Sequence, residues 1–198
     1  MTGETATGAP VTAATSYKIA GAASRFMVQA FAEGLLSAFG HNPRFNANEI
    51  SGTVTVPGDD LNNATVEILV RADSLRLVDD VSENDRQEIY RTMREHVLET
   101  ARYPEIRFKG KTVAADRIYE GFFRVKLAGL LLLHGVSREH SLEAQVRLLE
   151  SGLRAEGETQ LRQSNYGVKR VSVAAGTLKV KDEVKLSFLL VADKVSMV

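Results

Sequence analysis

Apolar and polar residues alternate along most of the chain after residue 15. The alternation is clearest in the segments 64–72, 122–133, 141–148, 153–161 and 184–192. Successive side chains of a β-strand point to opposite faces, so each segment predicts a strand with one buried and one solvated face. Short turn-like connections such as Glu150-Ser151-Gly152 favour antiparallel hairpins, and we expect about eight or nine strands.

One segment has helical spacing instead. Ile89, Met93 and Val97 recur at every fourth position, and Ser82 with Asp85 forms a capping-box pattern at the start of the segment. The sequence therefore predicts one amphipathic helix of about four turns. Its single apolar stripe would pack against the sheet or close one end of it.

A sheet of about eight strands with one buried face can form either a sandwich or a closed barrel. Periodicity does not choose between them. In a barrel, the interior is just wide enough for side chains or for one slender ligand. The inward-facing residues would then be Phe26, Val28, Val66, Ile68, Phe108, Val125, Leu127, Leu131, Val146, Leu148 and Phe188. The residues alone favour a filled core over a hollow lumen.

Composition excludes several classes of protein. The chain has 25 basic and 25 acidic residues, and this balance argues against a nucleic-acid binder. There is no cysteine, so disulfides, cysteine-ligated zinc and thiol catalysis are excluded. The longest strongly apolar stretch, 127–133, is too short to span a membrane.

The first fifteen residues are small and polar, and they predict a flexible leader (1–15) before a single domain (16–194). They have no basic start and no apolar stretch of the kind that marks an export signal. We therefore expect a cytoplasmic protein; a trimmed signal would make it periplasmic instead.

No motif of a nucleophilic hydrolase, a phosphate-binding loop or a zinc protease is present, so no catalytic residue is predicted. His41 precedes a proline turn, His134 ends a strand at a glycine turn, and His140 follows six residues later. This spacing matches no metal-ligand pattern, and structural roles are favoured. Two alternatives stay open: a metal-assisted enzyme using His134, His140 or His41, and a packed-core barrel that acts as a stress-related protein-interaction module.

Five segments occur in order along the chain: 16–28, ARYPEIRFKG (101–110), LAGLLLLHGVS (127–137), LRQSNYGV (161–168) and VKDEVKLSF (180–188). Together they resemble the YceI-like family of lipocalin-like, polyisoprenoid-binding proteins. The chain departs from the family pattern at Asn165, where relatives often have an acidic residue, and around Phe39-Gly40-His41.

The resemblance implies an all-β fold with one helix: a closed antiparallel lipocalin-like barrel of about eight strands with an apolar lumen. The expected function is binding of a quinone-like or isoprenyl-phosphate lipid, as a carrier, store or sequestering protein. The inward-facing residues named above would contact the lipid tail. His41, His134, Arg162 and Tyr166 are the candidates for the head group at the mouth. Apart from a bound polyisoprenoid lipid, no cofactor and no metal are expected; a homodimer is compatible with the resemblance.

Overall fold

The alternating segments form the strands of an antiparallel sheet. The computed structural model describes residues 14–33, 42–58, 60–173 and 178–195. In chain order the strands are β1 (Ala14–Ile19), β2 (Arg25–Gln29), β3 (Ala32–Glu33), β4 (Arg44–Ala47), β5 (Ile50–Pro57), β6 (Thr65–Arg71), β7 (Leu75–Leu77), β8 (Glu105–Tyr119), β9 (Phe122–Leu133), β10 (Val136–Leu148), β11 (Gly152–Arg162), β12 (Ser172–Val173), β13 (Leu178–Val180) and β14 (Glu183–Lys194). Short 3₁₀ turns cover Gly21–Ala23, Leu61–Asn63, Ala72–Ser74 and Gln163–Tyr166.

Eight of these strands close into a barrel. Their order is β1-β5-β6-β8-β9-β10-β11-β14, and β1 also pairs with β14. Each of the eight strands pairs with a neighbour on both sides, so the ring is closed, which resolves the choice that periodicity left open between a sandwich and a barrel. β2 pairs with β14 beyond the end of β1 and leads to β4 and β7, whereas β12, β13 and β3 form a separate small sheet.

The predicted helix is present as α1 (Glu83–Thr92), which continues into a π-helical turn, Met93–Val97. Ser82 caps it, because the Ser82 hydroxyl accepts a hydrogen bond from the Asp85 amide at 3.2 Å. The helix is tied to β7 at one strand residue: the Leu77 amide donates to the Tyr90 hydroxyl at 3.1 Å, and the Arg86 guanidinium donates to the Leu77 carbonyl at 3.1 Å. Within the described ranges, no helix is both long and apolar enough to cross a bilayer.

The two ends of the barrel differ. At one end, the turn Leu61–Asn63 inserts Leu61, which is 5% exposed, between the strand ends. The other end carries α1 and the small sheet of β3, β12 and β13. Ile89, Met93 and Val97 of the helical segment face the barrel interior there, as the apolar stripe predicts. The helix therefore covers one end of the barrel.

Candidate functional site

The barrel is hollow, with an internal cavity of about 470 Å³. The predicted inward-facing residues line it with one exception: Phe26, Val28, Val66, Ile68, Phe108, Val125, Leu127, Leu131, Val146 and Phe188 border the cavity. Leu148 does not. It lies at the last position of β10, half-buried against the core beyond the cavity. The residues alone favoured a barrel whose interior is filled by side chains. The cavity shows that this expectation is wrong.

Several side chains that face the interior of the barrel keep part of their accessible surface, which indicates the cavity. The interior contains two clusters of buried apolar residues. Five residues contact both clusters and are nevertheless only half-buried: Phe26, Val28, Ile68, Leu127 and Leu142. Inward-facing side chains of a filled barrel pack against one another and lose almost all of their accessible surface. The remaining exposed surface of these residues faces the cavity, so it offers a preformed apolar contact surface.

Charged residues mark where the cavity reaches solvent. Glu88 of α1 and Lys179 of β13 both border the cavity and are both exposed, and Ala32 of β3 lies beside them in its lining. The mouth therefore lies between the helix and the small sheet. Sequence reasoning missed both charged residues, because a glutamate on a solvated helix face and a lysine on a three-residue strand carry no pattern of their own.

The apolar cavity contains one linked polar pair. His140 on β10 and Thr159 on β11 both line it, and the His140 Nε2 atom lies 3.0 Å from the Thr159 hydroxyl oxygen. Burial lowers the pKa of His140, because the interior disfavours the charged imidazolium. At neutral pH, the pair is thus an uncharged hydrogen-bonding group in a mostly apolar wall.

Two of the remaining polar side chains that border the cavity are buried. Gln163 is buried, and its amide nitrogen donates to the Lys181 carbonyl at 2.9 Å, which ties the turn after β11 to the start of β14. Thr112 on β8 is 6% exposed, and its hydroxyl has no hydrogen-bond partner among the described residues. A buried hydroxyl without a partner is destabilising, so Thr112 is a second point where a ligand could be held.

His134 lies in a hairpin turn and does not border the cavity. With Gly135 it forms the two-residue loop between β9 and β10, and both residues have positive φ, 50° and 75°. The Tyr103 ring packs on the His134 ring, with centroids 4.3 Å apart, and the His134 Nε2 atom lies 3.4 Å from Glu99. The Tyr-Pro and His-Gly segments therefore meet in space to support the hairpin.

Arg162 and Tyr166 are close in sequence but differ in burial, since Arg162 is exposed and Tyr166 packs in an apolar cluster with Leu161. They border a polar pocket, called here the outer pocket, lined by Arg138, Glu139, His140, Gln160, Leu161, Arg162, Asn165, Tyr166 and Glu183. Tyr166 is 3% exposed, and burial raises the pKa of its hydroxyl. The outer pocket shares His140 and Leu161 with the cavity. The remaining mouth candidate, His41, lies outside the described residues.

The histidines do not converge on a metal site in the part of the chain that the structure describes. No three histidine, aspartate or glutamate side chains come together there as a potential ligand set. His134 faces Glu99 and Tyr103, whereas His140 bonds to Thr159. The geometry of these residues gives the metal-assisted alternative no support.

Solved structures with the same fold come from several bacteria. BcnA of Burkholderia cenocepacia aligns with a TM-score of 0.65 at 14% identity, over 87% of this chain and 98% of its own. A polyisoprenoid-binding domain from Saccharophagus degradans, implicated in plant cell wall breakdown, aligns with a TM-score of 0.66 at 16% identity, over 90% of this chain and 98% of its own. The YceI protein of Campylobacter jejuni aligns with a TM-score of 0.56 at 12% identity, over 77% and 85%.

Sequence comparison identifies the family. No curated protein matches the chain. The sequence model of the YceI-like domain, however, matches residues 17–192, which span the barrel from β1 to β14. The chain therefore belongs to the family of YceI-like domain proteins.

Proposed function

We propose that this protein binds an isoprenoid-type lipid, with the tail of the lipid in the barrel cavity, and that it acts as a non-catalytic carrier or store. The observation that carries the proposal is the cavity itself: about 470 Å³ of space inside a closed barrel, bordered mostly by aliphatic and aromatic side chains. Pockets of this size and character hold small apolar ligands.

The free energy of transfer favours a prenyl tail in this cavity. Moving one methylene group out of water is worth about 0.8 kcal/mol, and each half-buried lining residue also loses its remaining exposed surface when the cavity fills. At about 0.3 kcal/mol per non-hydrogen atom, a tail of about fifteen carbon atoms contributes about 4.5 kcal/mol, so we expect submillimolar dissociation constants.

The structural neighbour from Saccharophagus degradans is itself described as a polyisoprenoid-binding domain. Membership of the YceI-like family adds to the cavity as a reason to propose a prenyl lipid over another apolar ligand. Both quinone-like lipids and isoprenyl phosphates are candidates at this level.

The test is native mass spectrometry of freshly purified protein, followed by organic extraction and identification of any lipid released. We expect a bound species with a prenyl tail, or stoichiometric uptake of an added prenyl lipid by the extracted protein. An extracted protein that stays folded and takes up neither prenyl alcohols nor prenyl phosphates would overturn the proposal.

A further inference from the structure

The barrel wall splits between two neighbouring strands. β10 and β11 pair only from Glu143 with Glu158 to Leu148 with Leu153. Beyond Glu143, the segment 136–142 of β10 continues to pair with β9, and the segment 159–162 of β11 continues to pair with β14. These two segments therefore separate from each other while the sheets on either side continue.

Side chains bridge this split where the backbone does not. His140 and Thr159 lie on its two sides and bond to each other at 3.0 Å. The Arg138 guanidinium donates to the Asn165 carbonyl in the turn that follows β11. His140 and Leu161 border both the cavity and the outer pocket, so the two spaces adjoin at the split.

The bridging pair can bind one more polar group in either tautomer of His140. If Nε2–H donates to Thr159, the threonine hydroxyl hydrogen and Nδ1 remain available; if Nε2 accepts, Nδ1–H and a hydroxyl lone pair remain. One donor and one acceptor are thus left over in both cases. A ketone can use the donor, and an alcohol can use both.

The charges of the outer pocket are balanced. Arg138 and Arg162 border it together with Glu139 and Glu183, and Arg162 lies opposite Glu183 in the pairing of β11 with β14. A phosphate would have to compete with these carboxylates for the guanidinium groups, and it would lose more hydration than an uncharged group on entering this half-buried site. An uncharged polar group does not depend on the guanidinium groups and has a smaller hydration cost.

We propose that the split between β10 and β11 is the head-group site of the lipid, and that His140 and Thr159 select an uncharged carbonyl or hydroxyl group over a phosphate. This inference rests on the proposed function, since it assumes that a prenyl tail fills the cavity. It names the class of head group and the residues that recognise it.

The experiment compares four probes built on the same fifteen-carbon isoprenoid skeleton on lipid-free protein: the saturated hydrocarbon farnesane, and farnesylacetone, farnesol and farnesyl phosphate, which carry the unsaturated farnesyl group. Binding is measured by displacement of an uncharged fluorescent probe, N-phenyl-1-naphthylamine. We expect the ketone and the alcohol to bind more tightly than the hydrocarbon by roughly twofold to tenfold, which is the worth of one neutral hydrogen bond. The phosphate should bind less tightly than the ketone.

Substitutions at the split test whether His140 and Thr159 cause the preference for the ketone over the hydrocarbon. Thr159→Val and His140→Leu should each abolish the preference, so that the dissociation constants of the ketone and the hydrocarbon differ by less than about twofold within each variant. Thr159→Ser, which keeps the hydroxyl, should retain it. Thr53→Val is the matched control, because Thr53 is exposed on the outer face of β5. The thermal unfolding midpoint of each variant shows that it is folded.

Three outcomes would overturn the head-group site while leaving the proposed function intact: an unchanged preference in Thr159→Val, tightest binding of the phosphate, or loss of the preference in Thr112→Val only. The last result would place the head group at the unpartnered hydroxyl of β8. Failure of all four probes to bind the folded wild type would overturn the proposed function and this inference together.

Discussion

At the scale of single residues, the cavity depends on side chains that face inward without meeting a partner. Val66 of β6 is an example: it is half-buried, borders the cavity and lies opposite Gly110 of β8, over which the Phe108 ring packs. Enlarging such a residue should fill empty space before it displaces neighbours. The same substitution in a close-packed core would force strain.

Val66→Phe should therefore reduce the amount of prenyl lipid bound at saturation, while the free energy of unfolding falls by less than the roughly 1–3 kcal/mol that overpacking a filled core costs. Lipid uptake and urea denaturation measure the two effects. Val113→Phe is the matched control, because Val113 is 50% exposed on the neighbouring strand. Full lipid binding by Val66→Phe would contradict a tail in this part of the cavity.

His140 predicts a pH dependence of stability. Its pKa is lowered by burial, so the unfolded chain takes up a proton near the ordinary value of 6.5, whereas the folded chain does so only at lower pH. The free energy of unfolding should then fall as the pH drops from 6.5 toward the folded pKa and level off below it.

His140→Gln should remove this part of the pH dependence. Urea denaturation of both proteins at a series of pH values measures the difference. Arg138, Glu139, Arg162 and Glu183, the charged residues of the outer pocket, are present in both, so their contributions largely cancel. Parallel stability curves would contradict the argument.

At the scale of secondary-structure elements, hydrogen bonds to one residue of β7 help to hold the cover of the cavity in place. The Tyr90 hydroxyl on α1 accepts a hydrogen bond from the Leu77 amide of β7, and Arg86 bonds to the Leu77 carbonyl. Glu88, two residues before Tyr90, stands at the mouth. The residues that attach α1 to β7 and the residue at the mouth of the cavity therefore lie on the same helix.

Tyr90→Phe should loosen this attachment, because it leaves the Leu77 amide without its partner at a cost of about 1–3 kcal/mol. We expect faster hydrogen exchange at the Leu77 amide and faster release of bound lipid. Tyr119→Phe is the matched control: its hydroxyl accepts from Arg147 at 3.3 Å on an exposed hairpin. Equal release rates in the wild type and Tyr90→Phe would rule out α1 as the cover.

Most of these elements could be predicted from the sequence, since alternation and capping act over neighbouring residues. The closed barrel and the inward faces followed from period-two patterning together with the family resemblance. The split between β10 and β11 could not be found this way, because Leu142, Thr159 and Leu161 continue the alternation after the pairing has stopped. The sequence around His134 has two interpretations, since a histidine beside a glycine at a strand end suits a ligand site and a tight turn equally well.

At the scale of the whole molecule, the balance of 25 basic and 25 acidic residues leaves no net attraction to an anionic surface. Transfer of a prenyl lipid between protein and vesicles should therefore proceed at rates within about twofold for neutral and anionic vesicles, at both low and high salt. Fluorescence transfer kinetics measure these rates. A strong acceleration by anionic vesicles that high salt abolishes would instead indicate electrostatic docking.

The volume of the cavity limits how much of a lipid the protein can shield. A space of about 470 Å³ equals roughly fifteen times the ~30 Å³ that a water molecule occupies in the liquid, so it has room for about fifteen carbon atoms, or three five-carbon units. Affinity should rise along a homologous series of prenols up to that length and then reach a plateau. The far end of a much longer chain would stay in the bilayer. Transfer of such a lipid would then require both membranes to contact the protein, because the protein could not diffuse through water with the whole lipid shielded.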